Sequence, residues 1–393
     1  MHIAGVVAEY NPFHNGHAYH LQKTRAMGAD AVVAVMSGNF VQRGEAAILS
    51  KWARAEAAVR CGVDLVLELP LYWAASGAQN FAFGAVSTLS HLGCVQSLSF
   101  GSECGDVRQI RTVADLTQDL RVGASMRSAL DRGVTFAAAR EAAVRTLFGD
   151  AMADVLHSPN DTLAMEYCLA AQRCGADFDF WAVPRVGAAH DSEDGQDGFR
   201  SASAIRSALR KGGDMEHCPD AVREIWCREK AALRAPASLE TLERMILSKL
   251  RSASPQEIAA LPDVCEGLEN RILQAASRAD SLAALYDLAK TKRYTHARIR
   301  RIVLSALLDI RKADIPQDVP YIRVLGIGKR GAEILRAAKS TADLPVYTKM
   351  TQALSANEKR VFDAECRSTE LYSLLLPRIV PAGAEYTTPV FVL

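Results

Sequence analysis

The chain has no long apolar run. Stretches such as Ala31 to Met36 fall far short of the roughly 18 to 20 apolar residues that cross a bilayer, so an integral membrane protein and a membrane partner are excluded. It has no excess charge of either sign. The 46 Lys and Arg against 45 Asp and Glu leave +1 over 393 residues, so any polyanion-binding surface must come from local clustering. It has no Cys-x-x-Cys pair. Nine cysteines, an odd number without ligand spacing, suit neither a disulfide framework nor a structural zinc site, and reduced, mostly buried thiols are expected. It lacks a basic leader, and Glu9 interrupts the first apolar stretch, so a cleaved signal is not expected and a cytoplasmic location is. No internal repeat or low-complexity tract is present. At 49% hydrophobic and 23% charged residues, disordered and fibrous classes are excluded as well.

What is present is alternation. Over the first hundred residues, short apolar runs (2–8, 31–36, 64–69, 95–100) alternate with amphipathic stretches (17–27, 51–61, 78–92), the pattern of consecutive βα units on a parallel, doubly wound sheet. The near-continuous apolar character of 31–36 predicts a strand covered on both faces. Residues 107–153 and 161–174 have helical spacing, 178–183 returns to strand character, and 203–209 opens another helix. Gly212, Gly213 and the acidic, Pro-containing 214–220 form the best linker candidate. The chain therefore divides into 1–211, an α/β Rossmann-like catalytic half, and 212–393, a mainly helical half with a small mixed portion around Tyr321 to Tyr347.

Most of the chemistry lies directly after the first strand, in Glu9-Tyr10-Asn11-Pro12-Phe13-His14-Asn15-Gly16-His17. Strand, turn and helix start follow in that order, so an anion can sit on the helix N-terminus at the carboxyl edge of the sheet, with Gly16 admitting it close to the backbone. His14 and His17, three apart, face the same side of one helical turn. Two imidazoles there can donate hydrogen bonds to phosphate oxygens as charge develops in nucleotidyl transfer. Zinc is disfavoured, because no nearby Cys or acidic residue has ligand spacing.

This turn resembles the signature of the His-x-Gly-His nucleotidyltransferases. A longer set of blocks is similar to the bacterial tRNA(Met) cytidine acetate ligase family: Ala8 to His17, Met36-Ser37-Gly38-Asn39-Phe40-Val41-Gln42-Arg43-Gly44-Glu45, Asp64 to Pro70, Phe100-Gly101-Ser102-Glu103 and Ser158-Pro159-Asn160-Asp161. The resemblance spans essentially the whole chain. It implies a Rossmann-like sheet binding ATP, with Mg²⁺ on the nucleotide, and a reaction in which ATP and acetate form acetyl-adenylate. The acetyl group then passes to N4 of the wobble cytidine of elongator tRNA(Met), giving N4-acetylcytidine. It also implies an ATP site made of Val7, Ala8, Glu9, Tyr10, Asn11, Pro12, Phe13, His14, Asn15, Gly16, His17, Ala18, Tyr19 and His20, joined by Gly101, Asn160 and Arg185. Asn160 stands where a helix starts, so it is a candidate N-cap as well as a ligand contact. Ser201 to Arg206 resembles the turn that closes the nucleotide site in the superfamily, with Ser203 as the helix cap and Arg206 one turn on. Ala202 and Ala204 depart from the more polar pattern there.

Two further stretches call for a reading. Gly326-Ile327-Gly328-Lys329-Arg330-Gly331 formally satisfies Gly-x-Gly-x-x-Gly, but only 62 residues follow it, too few for a dinucleotide domain. It is either a plain strand-to-helix turn or a turn presenting Lys329 and Arg330 to RNA. Lys290, Lys292, Arg293, Arg298, Arg300 and Arg301 place six cations without an acid in twelve residues, interleaved with Tyr294 and His296. Such a cluster in a neutral chain favours an RNA backbone, with base stacking on Tyr294. A small-molecule adenylyltransferase and a tRNA-binding factor with a vestigial nucleotide site are the competing classes. The residues beyond 211 disfavour the first, and the intact histidine turn disfavours the second.

Overall fold

The computed structural model describes residues 1–185, 200–350 and 354–393. The apolar runs become strands β1 (Ile3–Ala8), β2 (Ala31–Ser37), β3 (Leu65–Leu69), β4 (Ser97–Ser102) and β5 (Asp179–Pro184). Between them run α1 (Asn15–Ala26), α2 (Lys51–Arg60), α3 (Ala78–Leu92) and, after four shorter helices, α4 (Pro159–Cys174). The fourth strand continues through Gly101 to Ser102 rather than stopping at Phe100. These five strands pair in parallel in the order β3-β2-β1-β4-β5. The order reverses direction between β1 and β4, and the crevice outside the carboxyl ends of such strands is where open sheets bind ligands.

Side-chain alternation feeds two cores. In β2, Ala31, Val33 and Val35 enter one apolar cluster while Val32, Ala34 and Met36 enter the other, and all seven residues of the strand are buried. One face is covered by α1, α2, α5 (Ala202–Arg210) and the helix Asp220–Ala231, the other by α3, α4 and most of the helices between 243 and 308.

The sheet runs across the boundary expected at 211/212. Beyond α6 (His296–Leu308), strand β6 (Ile322–Ile327) pairs antiparallel with β3, so the late segment completes the first sheet instead of forming a separate mixed portion. After α7 (Gly331–Thr341) come β7 (Val346–Tyr347), α8 (Ala356–Ser373) and β8 (Phe391–Val392), and both short strands pair with β6. Gly212 and Gly213 form the turn that ends α5, their N–H groups donating to Leu209 and Ala208 carbonyls. The Gly-x-Gly-x-x-Gly turn also has a packing explanation. A Cβ on Gly328 or Gly331 would lie 2.4 Å from the Val63 or Asp64 carbonyl oxygen, so these glycines let the β6–α7 turn press against the entry to β3.

A buried charge cluster fastens this late segment. Lys51, fully buried, lies 2.5 Å from both Glu68 on β3 and Glu385 and 3.8 Å from Glu365 on α8. Arg323 on β6 pairs with Glu68 at 3.1 Å and with Glu385. Burial opposes the Lys51 charge, but Glu385 and Glu68 outweigh it and its pKa is raised. Removing one member of such a cluster strands the others and costs about 3–5 kcal/mol.

Two cations face three carboxylates, and Glu365 is the one that keeps its proton. Burial, then the neighbouring Glu68 charge, push its pKa up to about 8. The folded chain thus holds a proton that the unfolded chain releases above about pH 4.3, so stability is lost as pH rises from there to about 8. Glu365→Gln preserves an acceptor for the Leu71 N–H and removes this loss. Urea unfolding midpoints measured from pH 5 to 8 should show the variant gaining on the wild type by up to about 1.4 kcal/mol per pH unit. A pH-independent difference would contradict the assignment.

Candidate active site

The first turn of α1 is built by its own histidines. His14 is the N-cap, its Nδ1 accepting the Gly16 N–H at 3.0 Å, and the Nδ1 of His17 accepts the His14 N–H at 3.2 Å. A side-chain Cβ on Gly16 would sit 2.9 Å from the His14 ring, so glycine is required here first for the cap itself. With both Nδ1 atoms accepting, each neutral ring must carry its proton on Nε2. The two rings stack at 3.8 Å between centroids, and Tyr10 and Phe13 close around His17 at 4.9 and 5.4 Å.

This enclosure keeps the histidines uncharged. Burial, then Arg185 and Arg206, lower the His14 pKa to about 3. Burial, then His14, His20 and Arg185, hold His17 well below its usual value. Burial lowers His20 to about 4, and its Nε2 lies 3.0 Å from the Ser99 hydroxyl. At neutral pH the turn therefore presents neutral Nε2–H donors rather than imidazolium charges.

A cavity of about 400 Å³ opens over this turn at the β1/β4 crevice. Val7, Ala8, Glu9, Tyr10, Asn11, His14, Gly16, His17, Tyr19 and His20 line it, together with Gly101, Asn160, Arg185, Ser203 and Arg206. Pro12, Phe13, Asn15 and Ala18 belong to the same segment but are not on its wall. Behind the wall beyond β4, Asn160 and Arg185 are held by one hydrogen-bonded unit. The Glu103 carboxylate accepts from Asn160 Nδ2 and the Asp161 N–H and lies 3.8 Å from Arg185 Nε, while Asp161 accepts from the Glu103 and Cys104 N–H groups. That lattice explains why the Phe-Gly-Ser-Glu and Ser-Pro-Asn-Asp blocks occur together. Asn160 is not the cap of α4; Ser158 occupies that position.

On the other side, α5 is capped by Ser201, whose side chain accepts the Ala204 N–H. Ser203 lies inside the first turn and is exposed, which corrects the expected cap by two residues. Arg206 is buried, its Nη1 donating to the Asn11 carbonyl at 2.9 Å, and its Nη2 is 3.5 Å from Glu45.

Two elements at this site escaped sequence reading. A two-stranded hairpin, Phe40–Val41 against Glu45–Ala46, places Gln42 and Arg43 on the cavity wall. Arg54 of α2, 1% exposed, donates to the carbonyls of Glu9, Ser37, Gly38 and Leu49 and so staples the turn to the hairpin. The hairpin has strands of only two residues, and Arg54 looks like any cation in an amphipathic helix.

The basic stretch is divided by the structure. Arg300 pairs with Glu45 at 2.6 Å, Arg301 with Asp263 at 2.6 Å, and Arg298 donates to the Asp263 carbonyl. Arg300 and Arg301 are compensated, contrary to the expectation of six open cations, because acids from distant segments reach them, while Arg298 is tied to a backbone carbonyl. Tyr294 is 8% exposed, with its hydroxyl 3.4 Å from the Cys265 sulfur, so its ring is not a stacking platform. Lys290, Lys292 and Arg293 are exposed. Lys329 is exposed and Arg330 pairs with Glu333. Both sit where β6 ends beside the start of antiparallel β3, at the sheet edge opposite the cavity.

Among the described residues no cluster of three or more His, Cys, Asp or Glu is arranged to hold a metal, and no helix is long and apolar enough to cross a membrane. Residues 1–385 match the HIGH Nucleotidyl Transferase family. Among curated relatives, the tRNA(Met) cytidine acetate ligase of Thermoanaerobacter sp. (strain X514) is 38% identical, with 99% of each chain covered, and that of Syntrophomonas wolfei is 36% identical, again with 99% of each covered. A crystal structure of Thermotoga maritima TmcAL bound with alpha-thio ATP superposes with a TM-score of 0.93 at 33% identity, covering 100% of both chains.

Proposed function

The chain belongs to the HIGH nucleotidyltransferases and, within them, to the tRNA(Met) cytidine acetate ligase family, and from this premise we propose that it is an ATP-dependent ligase that acetylates the wobble cytidine of elongator tRNA(Met) through acetyl-adenylate. The observation that carries the reading is the pair of stacked, neutral histidines on the cavity wall, each with Nδ1 committed to the backbone of its own helix start.

Acetate is ionised at neutral pH, so its attack on the α-phosphorus needs no general base. The protein's work is positioning and charge neutralisation. The Nε2–H groups of His14 and His17 donate to phosphate oxygens as pyrophosphate departs, Arg185 and Arg206 supply positive charge, and the start of α1 supplies its dipole. Gly101 and Asn160 line the nucleoside side, and Ser203 stands at the phosphate side of α5. The donor set does not fit a protein-held Mg²⁺. Glu9 is the only carboxylate among the described residues of the wall, it accepts the Gln42 N–H, and Arg206, Arg43 and Arg54 are its charged neighbours. The metal thus belongs with the nucleotide, and no step is routed through it. Residues 1–211 carry adenylation, and the helices from 220 to 308 face the RNA. A cytoplasmic location follows from a tRNA substrate and is consistent with nine unpaired thiols.

ATP–pyrophosphate exchange is expected to require acetate and to fall by about 10²-fold or more in His14→Ala and in His17→Ala. Exchange at the wild-type rate in both variants would refute their role, and exchange without any carboxylate would favour a plain adenylyltransferase. For the RNA side, replacing Lys290, Lys292 and Arg293 with Gln is expected to reduce the salt slope of tRNA binding by about 0.7 to 0.9 for each phosphate that is no longer neutralised. An unchanged slope would move the RNA surface away from this corner.

A further inference from the structure

We propose that Glu9 is the general base of the acetyl-transfer step, accepting the proton that the acceptor amine sheds as it attacks the activated acetyl carbonyl. The proposal rests on the reading above, that adenylation is followed by acyl transfer to an exocyclic amine. The two half-reactions differ in their need for a base. Acetate attacks phosphorus already ionised. The cytosine amine instead becomes positively charged as it bonds to carbon, and the adduct collapses back unless that proton is removed.

The cavity holds one suitable group. Glu9 is the only carboxylate among the described residues that line it. The histidines are poor candidates: His14 and His20, at about 3 and about 4, bind a proton too weakly, and the Nδ1 atoms of His14 and His17 are committed to backbone N–H groups. Arginines carry no lone pair for the task.

Glu9 is held in place. It directly follows β1, its Oε1 accepts the Gln42 N–H at 2.9 Å, and its backbone carbonyl accepts from Arg54 at 2.5 Å. Its position also suits an incoming base. Gly101 and Arg185 lie at the ends of β4 and β5, on one side of β1, whereas the contact with Gln42 puts Glu9 on the β2 side, against the hairpin. That hairpin is the surface on which α6 docks. Gly44, at φ 72°, lies where a Cβ would be 2.4 Å from the Arg301 backbone nitrogen, and Glu45 pairs with Arg300. An acceptor arriving along the helical region therefore reaches Glu9 before the nucleoside wall.

The charged and titratable neighbours of Glu9 come from four elements: Arg206 on α5, Arg43 on the hairpin, Arg54 on α2 and Tyr167 on α4. Burial outweighs the arginines and the Gln42 N–H, so the carboxyl pKa is raised, toward a range where a carboxylate is an effective base. The step balances as follows. The bond from N4 to the acetyl carbon forms, the N4 proton passes to the Glu9 carboxylate, and the bond from that carbon to the phosphate oxygen breaks. AMP leaves with the electron pair, and Glu9 then releases the proton to solvent.

Glu9→Gln tests this, since the amide oxygen still accepts the Gln42 N–H. Full-length enzyme is loaded with ATP and acetate and mixed with tRNA(Met), and single-turnover transfer is measured beside ATP–pyrophosphate exchange. Transfer is expected to fall about 10² to 10⁴-fold, well beyond any fall in exchange. The wild-type transfer rate should rise with pH and level off once Glu9 is ionised. That limb should vanish in Glu9→Gln and return in Glu9→Asp, which keeps a base one methylene shorter. Wild-type transfer in Glu9→Gln, or equal losses of transfer and exchange, would overturn the proposal. Failure of the wild type to acetylate tRNA despite normal exchange would instead overturn the underlying functional reading.

Discussion

Lys51 is the point on which the site's geometry depends. Its ammonium is sealed among Glu68, Glu365 and Glu385, which come from β3, α8 and the C-terminal segment. Its backbone N–H donates to Asn39, whose amide in turn donates to Thr369. One turn later on the same helix, Arg54 fixes the carbonyls of Glu9, Ser37 and Gly38. A single short helix thus locks the segment from Ile322 onward onto the sheet and the hairpin onto the histidine turn. A buried ion pair is an expensive way to gain stability, but it specifies register: Arg323 can meet Glu68 and Glu385 together only when β6 lies on β3 as observed.

The parts of this arrangement that were legible in sequence are those set by local pattern. The amphipathic stretch over 78–92 is a helix with the same bounds, Ala78–Leu92. The β1–turn–α1 unit was equally readable, because strand alternation, the histidine spacing and Gly16 all lie within fifteen residues. The pairing of β6 with β3 was not. It joins segments some 255 residues apart, and nothing in Ile322–Ile327 names its partner. Separation along the chain also hid the acids that pair with Arg300 and Arg301: Glu45 and Asp263 lie 255 and 38 residues away. Six cations without an acid in the window looked open, although three were already spoken for. The cap of α5 is Ser201 and not Ser203, two residues that are equivalent in sequence until the backbone chooses one.

Those long-range pairs also give the site its shape. Glu45 is shared by Arg206 on the cavity wall and Arg300 on α6, so nucleotide pocket and helical region meet through one carboxylate. The neutral histidines complete the division of labour. Charge comes from Arg185 and the buried Arg206, while the turn itself contributes directional donors that keep their protonation state across physiological pH.

The central claim is that acetate is activated by bonding to the α-phosphorus of ATP in this cavity. Acetate carrying oxygen-18 in both carboxylate positions tests it most directly, with mass spectrometry of the AMP formed as tRNA(Met) is acetylated. The account predicts one labelled oxygen in the AMP phosphate and the other in the acetylated cytidine. AMP without label would show that acetate never joined the α-phosphorus, and would contradict the account at its base.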